Sequence, residues 1–301
     1  MNLKVNIAGV ELKNPVMSAS GTFGSGHEYS ELTDINRLGA VVTKGVAFEP
    51  WEGNPTPRVT EVYGGMLNAI GLQNPGVDVF IERDIPFLRK FDTRIIVNVC
   101  GHTVEEYCKV VERLNGQDVD AYEINLSCPN VKQGALAFGQ DPKVLEETTA
   151  AIKKVAAKPI IIKLSPNVTS IRDMALAAEA GGADAISLIN TLIGMKIDIE
   201  RRRFVLANKT GGFSGPAIKP VALRMVYEAA HAVKLPVIGM GGIACAEDAI
   251  EFLLAGASAV AVGTMNFADP RTMEHVAEGI EAYLKRHGLE DVRELIGAAD
   301  A

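Results

Sequence analysis

Eight consecutive residues, Glu123-Ile124-Asn125-Leu126-Ser127-Cys128-Pro129-Asn130, gather side chains that can do chemistry. The apolar run from Ala121 to Leu126 reads as a strand, and a cysteine follows at once, between two asparagines and before a proline. In parallel α/β proteins, chemistry gathers in the loops at the carboxyl ends of strands. A thiolate there is a base or nucleophile, and neighbouring amide side chains can hold a planar polar ligand. Cys128 taken alone fits better a small buried hydrophobe, the usual state of a free cysteine, and the rest of the chain turns the reading toward chemistry.

Other residues of the same kind recur at strand ends. Lys163 lies inside the apolar run Ile160-Ile161-Ile162-Lys163-Leu164, and Lys44 follows Val41-Val42-Thr43. A lysine in a buried strand must be paired or serve a ligand, because burying a bare ammonium costs several kcal/mol. Such a cation can stabilise negative charge developing on an electron-accepting ring. Lys44 alone fits a side chain that snorkels from a strand end. Asn98, Asn125, Asn130 and Asn190 fall in or just past expected strands, and Asn68 lies in a long loop. Asparagine is depleted in strands, so a set at one rim reads as a site for a flat ligand with alternating donors and acceptors. Ser20 and Thr191 add hydroxyls. Gly239-Met240-Gly241-Gly242 and Ala261-Val262-Gly263-Thr264 have the character of backbone cradles for a phosphate. The loop Pro129 to Gly139 is expected to act as a lid or as an ordinary connection.

Eight apolar, β-rich runs must position these groups: Pro15–Ser18, Ala40–Thr43, Ile95–Val99, Ala121–Leu126, Ile160–Leu164, Ala185–Ile189, Val237–Met240 and Ala259–Val262. Their nearly continuous hydrophobicity implies burial on both faces, as parallel strands require. Helical periodicity appears between them at Asp141–Ala156, Ser170–Ala180, Pro216–Val233 and Glu247–Ala255, with Asp141-Pro142 as a helix start. Gly181-Gly182 and Gly256 mark helix ends. The pattern predicts a (β/α)₈ barrel as one domain over residues 1–301. An open doubly wound sheet is the alternative, but Ala19-Ser20-Gly21-Thr22-Phe23-Gly24 lacks its usual glycine fingerprint. A hairpin (Lys4–Ile7 with Val10–Leu12) is expected to plug the barrel bottom. Residues 44–78 read as a long Gly/Pro/Asn-rich loop, and a short hairpin is expected over Ile197–Leu206.

The chain of 301 residues is 48% hydrophobic, enough for a sizeable core, and its charge of −7 argues against a nucleic-acid partner. The 29 glycines exceed the usual share of about 7% and suit tight turns and close ligand contacts. The four cysteines (Cys100, Cys108, Cys128, Cys245) and five histidines show no metal-binding spacing. The start Met1-Asn2-Leu3-Lys4 does not read as a leader, and no apolar run reaches membrane-span length. These features imply a cytoplasmic protein with reduced thiols.

Five motifs together resemble the dihydroorotate dehydrogenases of pyrimidine biosynthesis. They are Asn125-Leu126-Ser127-Cys128-Pro129-Asn130, Asn68 to Gly76, Lys163-Leu164-Ser165-Pro166-Asn167, Ile189-Asn190-Thr191 and Gly239-Met240-Gly241-Gly242. The runs Asn190 to Met195 and Leu206 to Gly212 are most similar to the FMN-bearing catalytic subunit of the class 1B, NAD-linked enzymes. The resemblance implies that Cys128 removes the C5 proton of dihydroorotate, that hydride passes from C6 to N5 of FMN, and that Lys163 stabilises the reduced flavin. Lys44, Asn68, Ala69, Ile70, Gly71, Leu72, Asn125, Asn190 and Thr191 would bind dihydroorotate or orotate. Ser20, Lys44, Gly45, Asn98, Asn125, Lys163, Ile189, Gly215, Gly241, Gly242, Gly263 and Thr264 would contact FMN.

The same resemblance implies a homodimer core with two electron-transfer subunits, a heterotetramer in which the partner carries FAD and a 2Fe-2S cluster and passes electrons to NAD. The competing readings are a class 1A homodimer that reduces fumarate, a tRNA dihydrouridine synthase and a barrel that has lost catalysis. A tRNA enzyme should carry a basic face, which the charge balance opposes.

Overall fold

The computed structural model describes residues 1–126 and 139–300. Eight parallel strands close into a barrel: β1 (Val16–Ser18), β2 (Ala40–Val42), β3 (Arg94–Val99), β4 (Ala121–Asn125), β5 (Ile160–Lys163), β6 (Ala185–Leu188), β7 (Val237–Met240) and β8 (Ala259–Val262). Each strand pairs with its neighbour in sequence, and β8 closes on β1 through Val260↔Val16. The eight expected strands are all present, with ends shifted by at most one residue. They were readable because both of their faces are buried, one by the lumen and one by helices, which leaves no polar alternation.

The helices form where apolar side chains recur at helical spacing and a short polar side chain starts the turn. Pro142–Val155 buries Leu145, Thr148, Thr149 and Ile152 on one face. The Asp141 carboxylate accepts from the Val144 amide at 3.0 Å, and Ser170 accepts from the Asp173 amide at 3.2 Å to open Ile171–Ala180. Such caps contribute about 1 kcal/mol each. Among the described residues, the main core cluster spans the lumen and the strand–helix interface, and a small second cluster gathers Leu67, Ala69 and Leu206.

The N-terminal hairpin, Val5–Ile7 against Val10–Leu12, turns through Ala8 and Gly9 at φ 54° and 88°. This is the mirror-image turn that matches strand twist. It packs at the amino end of the barrel as expected, where Arg94, the first residue of β3, donates to the Glu11 carbonyl at 2.9 Å. Leu12 is fully buried there.

The excursions at the other end differ from expectation. Residues 44–78 are not a plain loop, because Val59–Val62 and Gly65–Asn68 form a hairpin. The second excursion is also larger than the expected hairpin over Ile197–Leu206. Ile197–Asp198 does pair with Arg203–Phe204, but a second, separate ladder of Leu192–Met195 against Thr210–Ser214 flanks it. The two excursions join through Gly212↔Asn68 into one four-stranded antiparallel sheet. Its glycines look like loop signals in sequence, yet they are sites of close backbone approach. A Cβ at Gly65 would lie 1.9 Å from the Ser214 carbonyl oxygen, and one at Gly212 would lie 2.0 Å from Thr191 Oγ1.

Candidate active site

Strand ends meet at the carboxyl end of the barrel around a cavity of about 300 Å³. Ser20 follows β1, Lys44 follows β2, Asn125 ends β4, Lys163 ends β5, and Ile189, Asn190 and Thr191 follow β6. Gly241 and Gly242 follow β7, while Gly263 and Thr264 follow β8. The antiparallel sheet supplies Val59, Met66, Asn68, Gly212 and Ser214, and Ile70, Gly71, Leu72 and Gly215 complete that side. Thr264 Oγ1 donates to Ser214 Oγ at 2.7 Å and ties the sheet to the barrel.

Most expected site residues therefore share one wall. Gly45, Ala69 and Asn98 are buried outside it. Asn98 supports the wall from behind, since Asn125 Nδ2 donates to its Oδ1 at 3.4 Å. Cys128, Asn130 and all of the expected lid except Gly139 lie outside the described residues.

Below the wall, polar side chains are linked across the lumen. Side chains two apart on a strand share a face, so Glu123 and Asn125 both point inward from β4. Lys163 Nζ donates to Ser20 Oγ at 3.1 Å and sits 3.5 Å from Glu123 Oε2. Asn98 Nδ2 donates to Glu123 Oε2 at 2.6 Å, and Ser187 Oγ donates to Glu123 Oε1 at 2.8 Å. Glu123 is 1% exposed, and sequence reasoning gave it no role. The available signal was a charge in an otherwise buried strand, two residues before Asn125.

Lys44 is half-buried beside Arg58. Desolvation, with the Arg58 charge second, pulls its pKa below the ordinary lysine range, and nearby Cys100 opposes this weakly. Arg58 is itself held by Gln73 Oε1 at 2.6 Å. Lys44 lines the cavity, and a cation there suits an anionic ligand. A lowered lysine pKa means that its positive charge is lost at lower pH than usual. A carboxylate ligand should therefore bind progressively more weakly as pH rises through that lowered value. Substrate Kd measured across alkaline pH should rise in the native chain and stay high and flat in Lys44→Met.

The amide N–H groups of Gly241, Gly242, Gly263 and Thr264 have no hydrogen-bond partner among the described residues. Gly241 and Gly242 have φ of 124° and 79°, conformations open to glycine. Four amides without a partner among the described residues, on residues that line one cavity, fit a phosphate-bearing group.

The five histidines are spread apart: His27 pairs with Asp84, His231 with Asp300 and His275 with Asp269, His102 lies against Trp51, and His287 lies against Tyr283. Among the described residues, no His/Cys/Asp/Glu cluster has metal-binding geometry, and no helix is long and apolar enough to cross a membrane.

Comparison with known proteins adds three findings. Residues 2–284 match the family profile of dihydroorotate dehydrogenase. The chain is 65% identical over 298 residues to the "Dihydroorotate dehydrogenase B (NAD(+)), catalytic subunit" of Alkaliphilus metalliredigens, covering 99% of each chain. It is 64% identical over 297 residues to the protein of the same name from Lachnoclostridium phytofermentans, again covering 99% of each. Among solved structures, the fold resembles a dihydroorotate dehydrogenase from Eimeria tenella in complex with ferulenol. The TM-score is 0.83 at 23% identity, covering 99% of this chain and 89% of that one.

Proposed function

The chain belongs to the dihydroorotate dehydrogenase family, and on that premise we propose that the barrel-mouth cavity holds dihydroorotate together with FMN. The reaction is the oxidation of dihydroorotate to orotate in pyrimidine biosynthesis. The full-length likeness to NAD-linked catalytic subunits favours that class over the fumarate-reducing homodimers. The observation that carries the site reading is the convergence of Lys44, Asn68, Asn125, Lys163, Asn190 and Thr191 on one wall.

FMN bound in the cavity supplies the hydride acceptor. The amides of the loops after β7 and β8 would hold its phosphate, and the Lys163 ammonium would provide positive charge in the same cavity. Lys44 draws the substrate carboxylate to the rim. The asparagines of the wall offer amide donors and acceptors to the flat ring and fix its orientation. Cys128, which follows β4 by three residues, takes the C5 proton.

The relatives are named as catalytic subunits, so the chain works with a partner. In our reading two copies form a core with two electron-transfer subunits, which carry FAD and a 2Fe-2S cluster and deliver electrons to NAD in the cytoplasm.

A spectrum of the purified chain before and after anaerobic dihydroorotate tests the assignment. A yellow flavin should bleach near about 450 nm, as expected for reduced FMN. A flavin that stays oxidised in the chain with its partner subunit present would sink the substrate assignment.

A further inference from the structure

Glu123 is a buried carboxylate in a barrel lumen, and the reaction as described gives it nothing to do. Its surroundings are specific. Oε1 accepts from Ser187 on β6, Oε2 accepts from Asn98 on β3, and Lys163 on β5 lies 3.5 Å from Oε2. Four strands are therefore joined through one side chain. Lys163 is 4% exposed, and its described partners are Ser20 and Glu123. Ser20 is a neutral hydroxyl, so Glu123 is the one anion paired with this ammonium among the described residues. The other cation of the cavity lining, Lys44, has its pKa lowered by burial first and by the Arg58 charge second. The two lysines are thus built differently: one is supported from below by an anion, and the other is left for a ligand to neutralise.

We propose that Glu123 is a positioning residue whose carboxylate holds the Lys163 ammonium, charged and oriented, in the wall of the FMN site. The argument is one of desolvation. A buried ammonium without a counter-charge tends to shed its proton, and breaking a buried pair from one side leaves an uncompensated charge. Of the three N–H donors of an ammonium, one goes to Ser20 while the longer ion pair draws the cation toward Glu123, which leaves donor capacity for what fills the cavity. Asn98 and Ser187 in turn fix the carboxylate, so the cation has one location. Without Glu123 the wall loses its positive charge even though Lys163 remains.

The proposal rests on the FMN reading above, and the test separates the two. Glu123→Gln, Lys163→Met and the double variant are made in the full chain. Thermal melting is compared first, with and without added FMN. Each single variant leaves one buried ionisable group without its counter-charge, to stay charged unpaired or to neutralise at a cost, and should melt below the double variant, which leaves none. A double variant whose loss is the sum of the single losses would overturn the pairing, as would a double that fails to fold while Lys163→Met folds. This cycle needs no flavin, so it stands even if the cofactor assignment falls.

The midpoint potential of the bound flavin is then measured at one fixed pH. It should drop in Glu123→Gln to the level of Lys163→Met, because both lose the same positive charge. A merely structural Glu123 would leave the potential where it is, and retention of the ammonium beside a neutral residue would raise it. Either result overturns the proposal. Flavin reduction by dihydroorotate should slow about tenfold or more in Glu123→Gln, with substrate Kd within about threefold, since one lost charge interaction is worth roughly 1.5–3 kcal/mol.

Discussion

Alanine at position 128 is expected to slow flavin reduction by dihydroorotate by about 10²- to 10⁴-fold, the usual contribution of a positioned general base. The thiol is three residues beyond the end of β4, and Asn125 at that strand end is already in the cavity wall. Removing a base that acts only as the C5 proton leaves should lower the rate constant and leave substrate Kd nearly unchanged. Stopped-flow absorbance of the flavin under anaerobic conditions measures both. A free thiol titrates near about 8.5, so the native rate should climb with pH while the alanine variant stays flat. A variant rate within tenfold of native, or one that keeps the native pH slope, would remove Cys128 from the mechanism.

The second large effect is on cofactor retention. Gly242→Ala should weaken FMN binding about 10- to 100-fold, the equivalent of one or two lost amide contacts. Gly242 has φ of 79°, which is strained for alanine by about 1–2 kcal/mol. Its added Cβ would lie 2.7 Å from the Lys219 amide nitrogen and 2.9 Å from Lys219 Cα. That backbone cannot easily yield, because Lys219 Nζ is anchored to Asp248 at 2.6 Å and Glu251 at 2.9 Å. The cradle must move instead, and its free amides lose their alignment. Quenching of FMN fluorescence by the flavin-free chain gives the Kd. Gly116→Ala is the control, since a Cβ there meets nothing within 4 Å. Equal affinities for the two variants would show that the β7 loop does not hold the phosphate.

The barrel and the site were legible in sequence to different degrees, for physical reasons. Parallel strands buried on both faces write themselves as runs such as Ile160-Ile161-Ile162, and polar residues interrupting such runs are conspicuous. Lys163, Asn125 and Asn98 could therefore be picked out one by one. Glu123 stood in the same kind of run, but its role depends on Asn98, Lys163 and Ser187, which are on three other strands. No local pattern records that meeting. The antiparallel sheet was missed for a related reason. Its inner strands pair at Asn68 and Gly212, 144 residues apart, and the glycines that permit the contact imitate loop composition.

That sheet also limits how the chain can be recombined. Loops on a barrel face are ordinarily independent units, each exchangeable without regard to the others. Here each of two distant excursions completes the other's ladder, and together they form one side of the cavity. A crossover between related barrels that brings in one excursion alone leaves an open strand edge and a half-built wall. The two segments must be inherited as a pair, so the chain behaves at this face as though it had one insertion written in two places.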